Sequence, residues 1–384
     1  MLFKWIFWIS LSLIVYSYLG FYLVLFILTK IKPKKRLRDQ NYFPTISMLI
    51  SAYNEESVIK SKIDNCLLID YPKDKIEFLF GSDASDDNTN QILTANQSNL
   101  IRPFFYSQRQ GKAATLNRLV KNADGEILVF SDANTMYQPD AIKNLVQHFV
   151  DENIGGVCGR LKLVSFNDSS GGNGETLYWS YENMLKAMEG KIKTVFGANG
   201  AIYAIRHKFY HALPENKVIM DDFIIPLKII EKYHKDIIYA SDAVGIETTS
   251  KNEAGEFTRK IRIGAANFNS LVEIWRLLLP WRCFVAFGLW SHKILRWFVP
   301  FFLIFVLVTN FLLSDIPFFM FAALLQLLFY MSSLIGFMLT KLEIKKPSIL
   351  VYSYYFVGIN AALLIGFFKF IFKTQKPAWK RVQR

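Results

Sequence analysis

From Ile6 to Thr29 the chain carries no charged residue. At about 1.5 Å of rise per residue, a helix of that length exceeds the ~30 Å of bilayer hydrocarbon. Within lipid a helix satisfies its own backbone, so the run predicts a spanning segment and an N-terminal anchor over residues 1–30. A cleavable signal peptide is the competing reading. The run is longer than an h-region, however, and no small-residue cleavage site precedes the basic cluster after it. That cluster, Lys30, Lys32, Lys34, Lys35, Arg36 and Arg38, leads into a basic linker over 31–44. The positive-inside rule puts its side of the membrane, and the domain that follows, in the cytosol.

Near the other end, Trp297 to Leu313, Ile316 to Thr340 and Ser348 to Phe372 are three more apolar segments, which predict C-terminal membrane helices over 297–372. Four crossings put the C-terminus outside, whereas the basic tail over 373–384 favours the cytoplasm. The two signals conflict, and a re-entrant or interfacial C-terminal segment is one resolution. Between Ala265 and Arg296, tryptophans alternate with Arg276, Arg282, Lys293 and Arg296 around Pro280. This mixture suits amphipathic interfacial helices, with a soluble core as the alternative. The net charge of +13 is accounted for by membrane topology and anionic lipid. No zinc-finger, homeodomain or aromatic RNA-binding signature accompanies it, so no nucleic-acid partner is expected. Cys66, Cys158 and Cys283 lack metal-ligand spacing and read as buried thiols of a reducing compartment.

The middle, residues 45–264, alternates β-like and helical patterns. Thr45 to Ala52 is a strand run followed by helical spacing through Val58, Ile59, Ile63, Cys66 and Leu67. Ile76 to Phe80 opens into the polar loop Gly81 to Asn88, with Asp86 or Asp87 near a helix cap. Ile101 to Tyr106 precedes a helix starting at Gly111, and Ile127 to Phe130 ends in Asp132 and Asn134. This order predicts an α/β domain with a mostly parallel sheet covered on both faces. From Gly155 the pattern loosens. Ser169 to Gly174 reads as a mobile loop, Thr176 to Met188 as a helix, Ala201 to Ile205 as a strand, and Met220 to Phe223 as a helix start with Pro226 in its first turn.

In open α/β sheets ligands bind beyond the carboxyl ends of the strands. The polar residues delivered there are Asn54 and Glu55, Asp83 and Asp86, Lys112, Asp132 and Asn134, Asp221 and Asp222, then Arg259 and Arg262. Any one alone is compatible with a turn, cap or solvated face. Six such groups at strand ends in one chain are much harder to dismiss and mark a candidate site.

The sequence resembles the processive-type membrane glycosyltransferases of family 2, the group of cellulose, hyaluronan and poly-N-acetylglucosamine synthases. Leu49-Ile-Ser-Ala-Tyr-Asn-Glu-Glu56, Ser82-Asp-Ala-Ser-Asp86, Arg109-Gln-Gly-Lys-Ala113, Ser131-Asp-Ala-Asn134, Gly197-Ala-Asn-Gly200, Met220-Asp-Asp-Phe223 and Arg259-Lys-Ile-Arg262 carry the likeness. The resemblance implies a GT-A fold, a Rossmann-like domain that binds a nucleotide sugar, usually a UDP-sugar. By that match the Tyr53-Asn-Glu55 loop and Asp83 hold the base and ribose, with Ala52 and Asp86 also among the donor-binding residues. Lys112 lies near the nucleotide, and Asp132 with Asn134 meets the donor and a divalent cation, Mn²⁺ or Mg²⁺. Asp222, beside Asp221, is the implied catalytic base, and Arg259 and Arg262 stabilise the departing diphosphate. Asn199, Gly200, Tyr178 and Trp179 are candidate acceptor contacts, with core packing the alternative for the two aromatic residues.

Two departures bear on these expectations. Asn134 replaces the usual second aspartate, and an amide oxygen brings no charge to a cation. Arg259-Lys-Ile-Arg-Ile263 lacks the glutamine and tryptophan of the polymerising signature, which weakens a long-chain product. The resemblance therefore leaves a polysaccharide or a lipid-linked acceptor open, including single transfer to a polyprenyl phosphate or lipid. Membrane lipids are expected neighbours, and a bacterial inner membrane the expected location. A non-catalytic nucleotide-sugar binder is the remaining alternative.

Overall fold

The computed structural model describes residues 1–31, 33–164, 171–248, 253–342, 344 and 347–375. It opens with an apolar rod, α1 (Leu2–Val15) and α2 (Phe21–Ile31), continuous through a π-turn at Tyr16–Gly20. The basic linker then fastens itself to the following domain. Lys34 and Arg36 both reach Asp236 (2.9 and 2.8 Å), and Arg38 reaches Asp242 (2.6 Å).

The expected alternation is built as β1 (Ile46–Ala52), α3 (Ile59–Leu67), β2 (Ile76–Asp83), α4 (Thr89–Ala95), β3 (Ile101–Tyr106), α5 (Lys112–Val120) and β4 (Ile127–Asp132). These four strands are parallel. The second half adds β5 (Met136–Tyr137), α6 (Ala141–Val146), β6 (Ile154–Val164), α7 (Gly171–Ile192), β7 (Tyr203–Arg206), α8 (Asp221–Tyr233) and β8 (Asp236–Thr248). The sheet order is β3-β2-β1-β4-β7-β6-β8-β5. β7 runs antiparallel to both β4 and β6, so the sheet is mixed beyond β4. Both faces are covered: Met48 and Ile50 of β1 enter one core and Leu49 between them enters the other. That two-sided burial explains why these strands read as continuous apolar runs.

Beyond the sheet come α9 (Glu253–Ile274), α10 (Phe284–Gly288), a second π-turn at Leu289–Ile294, α11 (Leu295–Leu312), α12 (Pro317–Lys341) and α13 (Ser348–Ile371). Among the described residues four helical segments are long and apolar enough to cross a membrane: Leu2–Ile31, Phe284–Leu312, Pro317–Lys341 and Ser348–Ile371. α9 crosses α13 nearly backbone to backbone. A Cβ on Gly366 would lie 2.7 Å from the Ala265 nitrogen, and one on Gly264 would lie 3.2 Å from the Ala362 oxygen. This crossing ties the sheet domain to the apolar helices.

Several boundaries differ from the sequence reading. The third-last apolar helical segment begins at Phe284, where Trp297 was expected, and within it His292 and Arg296 are buried and Lys293 is half-buried, all three facing carboxylates of α7. Glu182 of α7 receives Lys293 at 3.0 Å and also pairs with Arg296. Of the segment 265–296, the first part continues α9 as one helix with Arg259 and Arg262. Gly171 to Gly174 belong to α7, so the expected loop is helical there; Ser169 and Ser170 lie outside the described residues. Lys32 and the basic tail from Lys376 also lie outside them. Cys66 and Cys158 are buried, but Cys283 is exposed in the short connection before α10.

Candidate active site

At the carboxyl edge of β1, β2 and β4 a cavity of about 1230 Å³ opens, lined by Tyr53, Asp83, Lys112, Asp132 and Asp222 among others. The parallel register aligns these strand ends, pairing Ser51 with Asp132 and Ala52 with Ser82. The same cavity extends to Tyr18 of the N-terminal rod and to Tyr352, Tyr355 and Phe356 of α13.

At one end, the loops after β1 and β2 are zipped together. Asn54, with a left-handed φ of 55°, donates from its amide to Asp86 and accepts from the Asp86 nitrogen at 3.0 Å. The Glu55 nitrogen donates to Thr89 Oγ1 at 2.8 Å. Glu55 and Tyr53 line the cavity, whereas Ala52 is buried at the strand end and Asp86 is engaged by Asn54. Asp83 accepts the backbone N–H groups of Gln110 and Gly111 at 2.9 and 2.7 Å. Its first duty is thus to hold the turn that starts α5. That turn sets the Arg109 guanidinium 3.6 Å above the Tyr53 ring, a cation–π stack walling this end of the cavity.

At the centre, the Lys112 ammonium lies 2.8 Å from Asp132 Oδ1 and 3.1 Å from Asp221 Oδ1. Burial opposes its charge, but Asp132 and then Asp221 outweigh that and hold the amine above its ordinary range. Asp221 also accepts from the Tyr203 hydroxyl at 3.0 Å, and the Tyr203 ring stacks on Phe130 with centroids 4.5 Å apart. Behind Asp132, fully buried Lys62 donates to Ser131 Oγ at 2.7 Å and to the Thr135 carbonyl. Burial lowers this amine to about 8.

Asp222 faces the same cavity. Its Oδ2 accepts from the Gly200 nitrogen at 2.9 Å, while Oδ1 is buried with no hydrogen-bond partner among the described residues. Desolvation, followed by repulsion from Asp221, raises this carboxyl to about 6. A Cβ on Gly200 would approach Asp222 Oδ2 to 3.2 Å, so the close contact depends on glycine. Pro226 lies in the second turn of α8, not the first. Having no N–H, it leaves the Asp222 carbonyl free, and the Ala198 nitrogen donates to it at 2.7 Å.

At the end of the cavity near α7 and α13 the sequence expectations divide. Tyr178 and Trp179 line the cavity, with Tyr178 packed against Trp179 and Tyr355. Asn199 does not reach it. Its side chain is fully buried, donating to the Gly159 carbonyl at 2.6 Å and accepting from Lys186, so it stiffens the Gly197–Gly200 turn instead of contacting a ligand. Arg259 is bound to Glu256 at 2.6 Å and Glu175 at 3.2 Å. Arg262 lines the cavity, and burial, then the neighbouring Arg259 charge, lower it to about 10.

Among the described residues no three His, Cys, Asp or Glu side chains converge as a metal cage. The donor set nevertheless fits a hard cation. Asp132 and the Asn134 amide offer oxygen, and the Lys112 ammonium already occupies the point between Asp132 and Asp221 where positive charge is stabilised. Sequence reasoning missed Arg109, Tyr203, Lys186 and Glu247. Arg109 stood inside a quoted motif, but Glu247 had no local signal.

Residues 47–212 match the family model described as Glycosyl transferase family 2. Poly-beta-1,6-N-acetyl-D-glucosamine synthase of Staphylococcus aureus is 26% identical over 159 residues, 40% of this chain and 38% of that protein. Beta-monoglucosyldiacylglycerol synthase of Trichormus variabilis is 28% identical over 134 residues, 34% of this chain and 29% of that one. The matches thus span about a third of the curated relatives' own length. Among solved structures, a mannosyltransferase from Pyrobaculum calidifontis in complex with GDP-Man and Mn²⁺ aligns over 96% of this chain and all of that one, with a TM-score of 0.72 and 21% identity. That likeness extends the fold comparison through the apolar helices. The chain carries a glycosyl transferase family 2 domain, built on a GT-A sheet and flanked by helices long and apolar enough for a membrane.

Proposed function

We propose that this protein is an inverting glycosyltransferase moving a sugar from a nucleoside diphosphate to a hydroxyl of an acceptor held at a membrane. The observation that carries the reading is the Asp222 carboxyl: desolvated, raised to about 6, anchored through Oδ2 and with Oδ1 unpartnered beside the cavity. A carboxylate in that condition accepts a proton near neutral pH. As the acceptor oxygen bonds to the anomeric carbon, Asp222 takes the hydroxyl proton. The bond to the diphosphate oxygen breaks, and the diphosphate departs with the electron pair.

Lys112 and Arg262 supply positive charge to the departing group. A divalent cation held by Asp132 and Asn134 would add Lewis-acid stabilisation there. Arg109 stacked on Tyr53 supports the base-binding role of that end. The extension of the cavity to Tyr352, Tyr355 and Phe356 favours an acceptor with a lipid portion over a free polymer, since these residues belong to a helix apolar enough for the bilayer.

The test is transfer from radiolabelled UDP- and GDP-sugars in membranes containing wild type or Asp222→Asn, with label followed into lipid and polymer. Label in a lipid fraction with wild type alone is the expected result. Equal transfer by the variant removes Asp222 as the base. Donor binding without transfer from any sugar nucleotide favours the binding-only alternative.

A further inference from the structure

The cation role proposed for Asp132 and Asn134 leaves a deficit, because Asn134 supplies no charge where an aspartate would. The fold brings a carboxylate to that position from elsewhere. β5 pairs antiparallel with β8, Met136 opposite Ile246, and this register carries Glu247 alongside the residues just before β5. Asn134 Nδ2 donates to Glu247 Oε1 at 3.0 Å, and Glu247 is only 8% exposed. Asp132, Asn134 and Glu247 all border the cavity.

The contact has an orientational consequence. A side-chain amide has one atom able to bind a hard cation, its carbonyl oxygen. Turned the other way, the amide would set that oxygen against the Glu247 carboxylate, acceptor facing acceptor. Glu247 therefore fixes the amide with nitrogen towards itself and Oδ1 away from it. It also restores one unit of negative charge next to the ligand that lost it.

We propose that Glu247 is a positioning residue for the cation site, orienting the Asn134 amide and compensating its missing charge. The proposal rests on the cation role within the proposed function, but not on Asp222 or on the identity of the sugar. Outer-shell partners of this kind change metal affinity by about 10–100-fold when removed.

The test is Mn²⁺ binding by the full chain in detergent, followed through the free-ion paramagnetic resonance signal, alone and with UDP or GDP, after subtraction of protein-free blanks. Glu247→Ala is expected to weaken Mn²⁺ at least about tenfold. Glu247→Gln keeps an acceptor for the Asn134 amide and should lose less. In an Asn134→Ala background, Glu247→Ala should cost clearly less, because only the nearby charge and not the amide orientation is then lost. Asn134→Asp combined with Glu247→Ala should return most of the affinity, because an aspartate needs no partner to fix which atom is oxygen.

Wild-type affinity in Glu247→Ala, an equal loss in the Asn134→Ala background, or no rescue by Asn134→Asp each overturns the proposal. So does failure of wild type to bind Mn²⁺ with or without nucleotide. If Glu247→Ala does not fold, Glu247→Gln with and without Asn134→Asp carries the same comparison. Sugar transfer that persists while Glu247 proves indifferent to Mn²⁺ leaves the glycosyltransferase reading intact and removes only this one.

Discussion

The Asp222 carboxyl is tuned by opposing neighbours. Burial and Asp221 raise it, whereas Lys112 and Lys186 lower it, and the balance stands at about 6. Since the ionised form is the base, transfer should fall about tenfold per pH unit below that value and level off above it. A kcat/KM profile across the acid range measures this limb. Lys112→Met removes one of the lowering charges and should move the limb upward by about one pH unit, a shift typical of losing an adjacent opposite charge. An unmoved limb would mean that the ammonium does not act on Asp222. At this scale, sequence reading picked out residues that the fold gathers at one cavity where they are written locally: Asp132, Asp221 and Asp222 each stand in a short string at a strand or helix end. It failed at Asn199, whose motif neighbours reach the cavity while its own amide is consumed by Gly159 and Lys186. It had no means to find Glu247, whose partner is 113 residues away and meets it only through strand register.

A single proline links two elements of the site. In an uninterrupted α8 the nitrogen of residue 226 would bond to the Asp222 carbonyl; Pro226 vacates that acceptor and Ala198 takes it. Pro226→Ala should therefore favour the helix by propensity, yet introduce an N–H that competes with the Gly197–Gly200 turn. The expected outcome is an unchanged or raised unfolding temperature together with a lower kcat, read by thermal unfolding and steady-state transfer on the same preparation. Gly200→Ala should act on the same junction by pushing against Asp222 Oδ2, with kcat lost and donor affinity kept. The parallel strands were legible as elements because burial on both faces makes them short apolar runs. The start of the helix at Phe284 was not. His292, Lys293 and Arg296 look interfacial in one dimension, and only the packing of α7 reveals that their partners are Glu182 and Glu189.

Those buried charges join parts of the molecule that sequence analysis treated as separate. Glu182 of α7 accepts Lys293 and Arg296 from the Phe284–Leu312 segment, and Arg296 Nε donates to the Ser17 carbonyl of the N-terminal rod at 3.1 Å. The Tyr16 hydroxyl meets Ser291 Oγ at 2.9 Å, so the two π-turns touch. α7 also lines the cavity through Tyr178 and Trp179, so this cluster connects the apolar helices to the cavity wall. Two cations sharing one buried carboxylate are tolerable only while that carboxylate is charged. Glu182→Gln keeps the shape but strands Lys293 and Arg296, and breaking a buried pair from one side costs about 3–5 kcal/mol. By contrast Lys60 and Asp64 form an exposed pair on α3, where Lys60→Ala should cost under about 1 kcal/mol. Thermal unfolding of both variants in detergent separates the cases: a large drop for Glu182→Gln against almost none for Lys60→Ala is expected. Replacing Lys293 and Arg296 by methionine in the Glu182→Gln background should recover much of the loss, since neither cation is then left facing a neutral amide. Similar melting of Glu182→Gln and wild type would mean that the apolar helices hold α7 without this cluster.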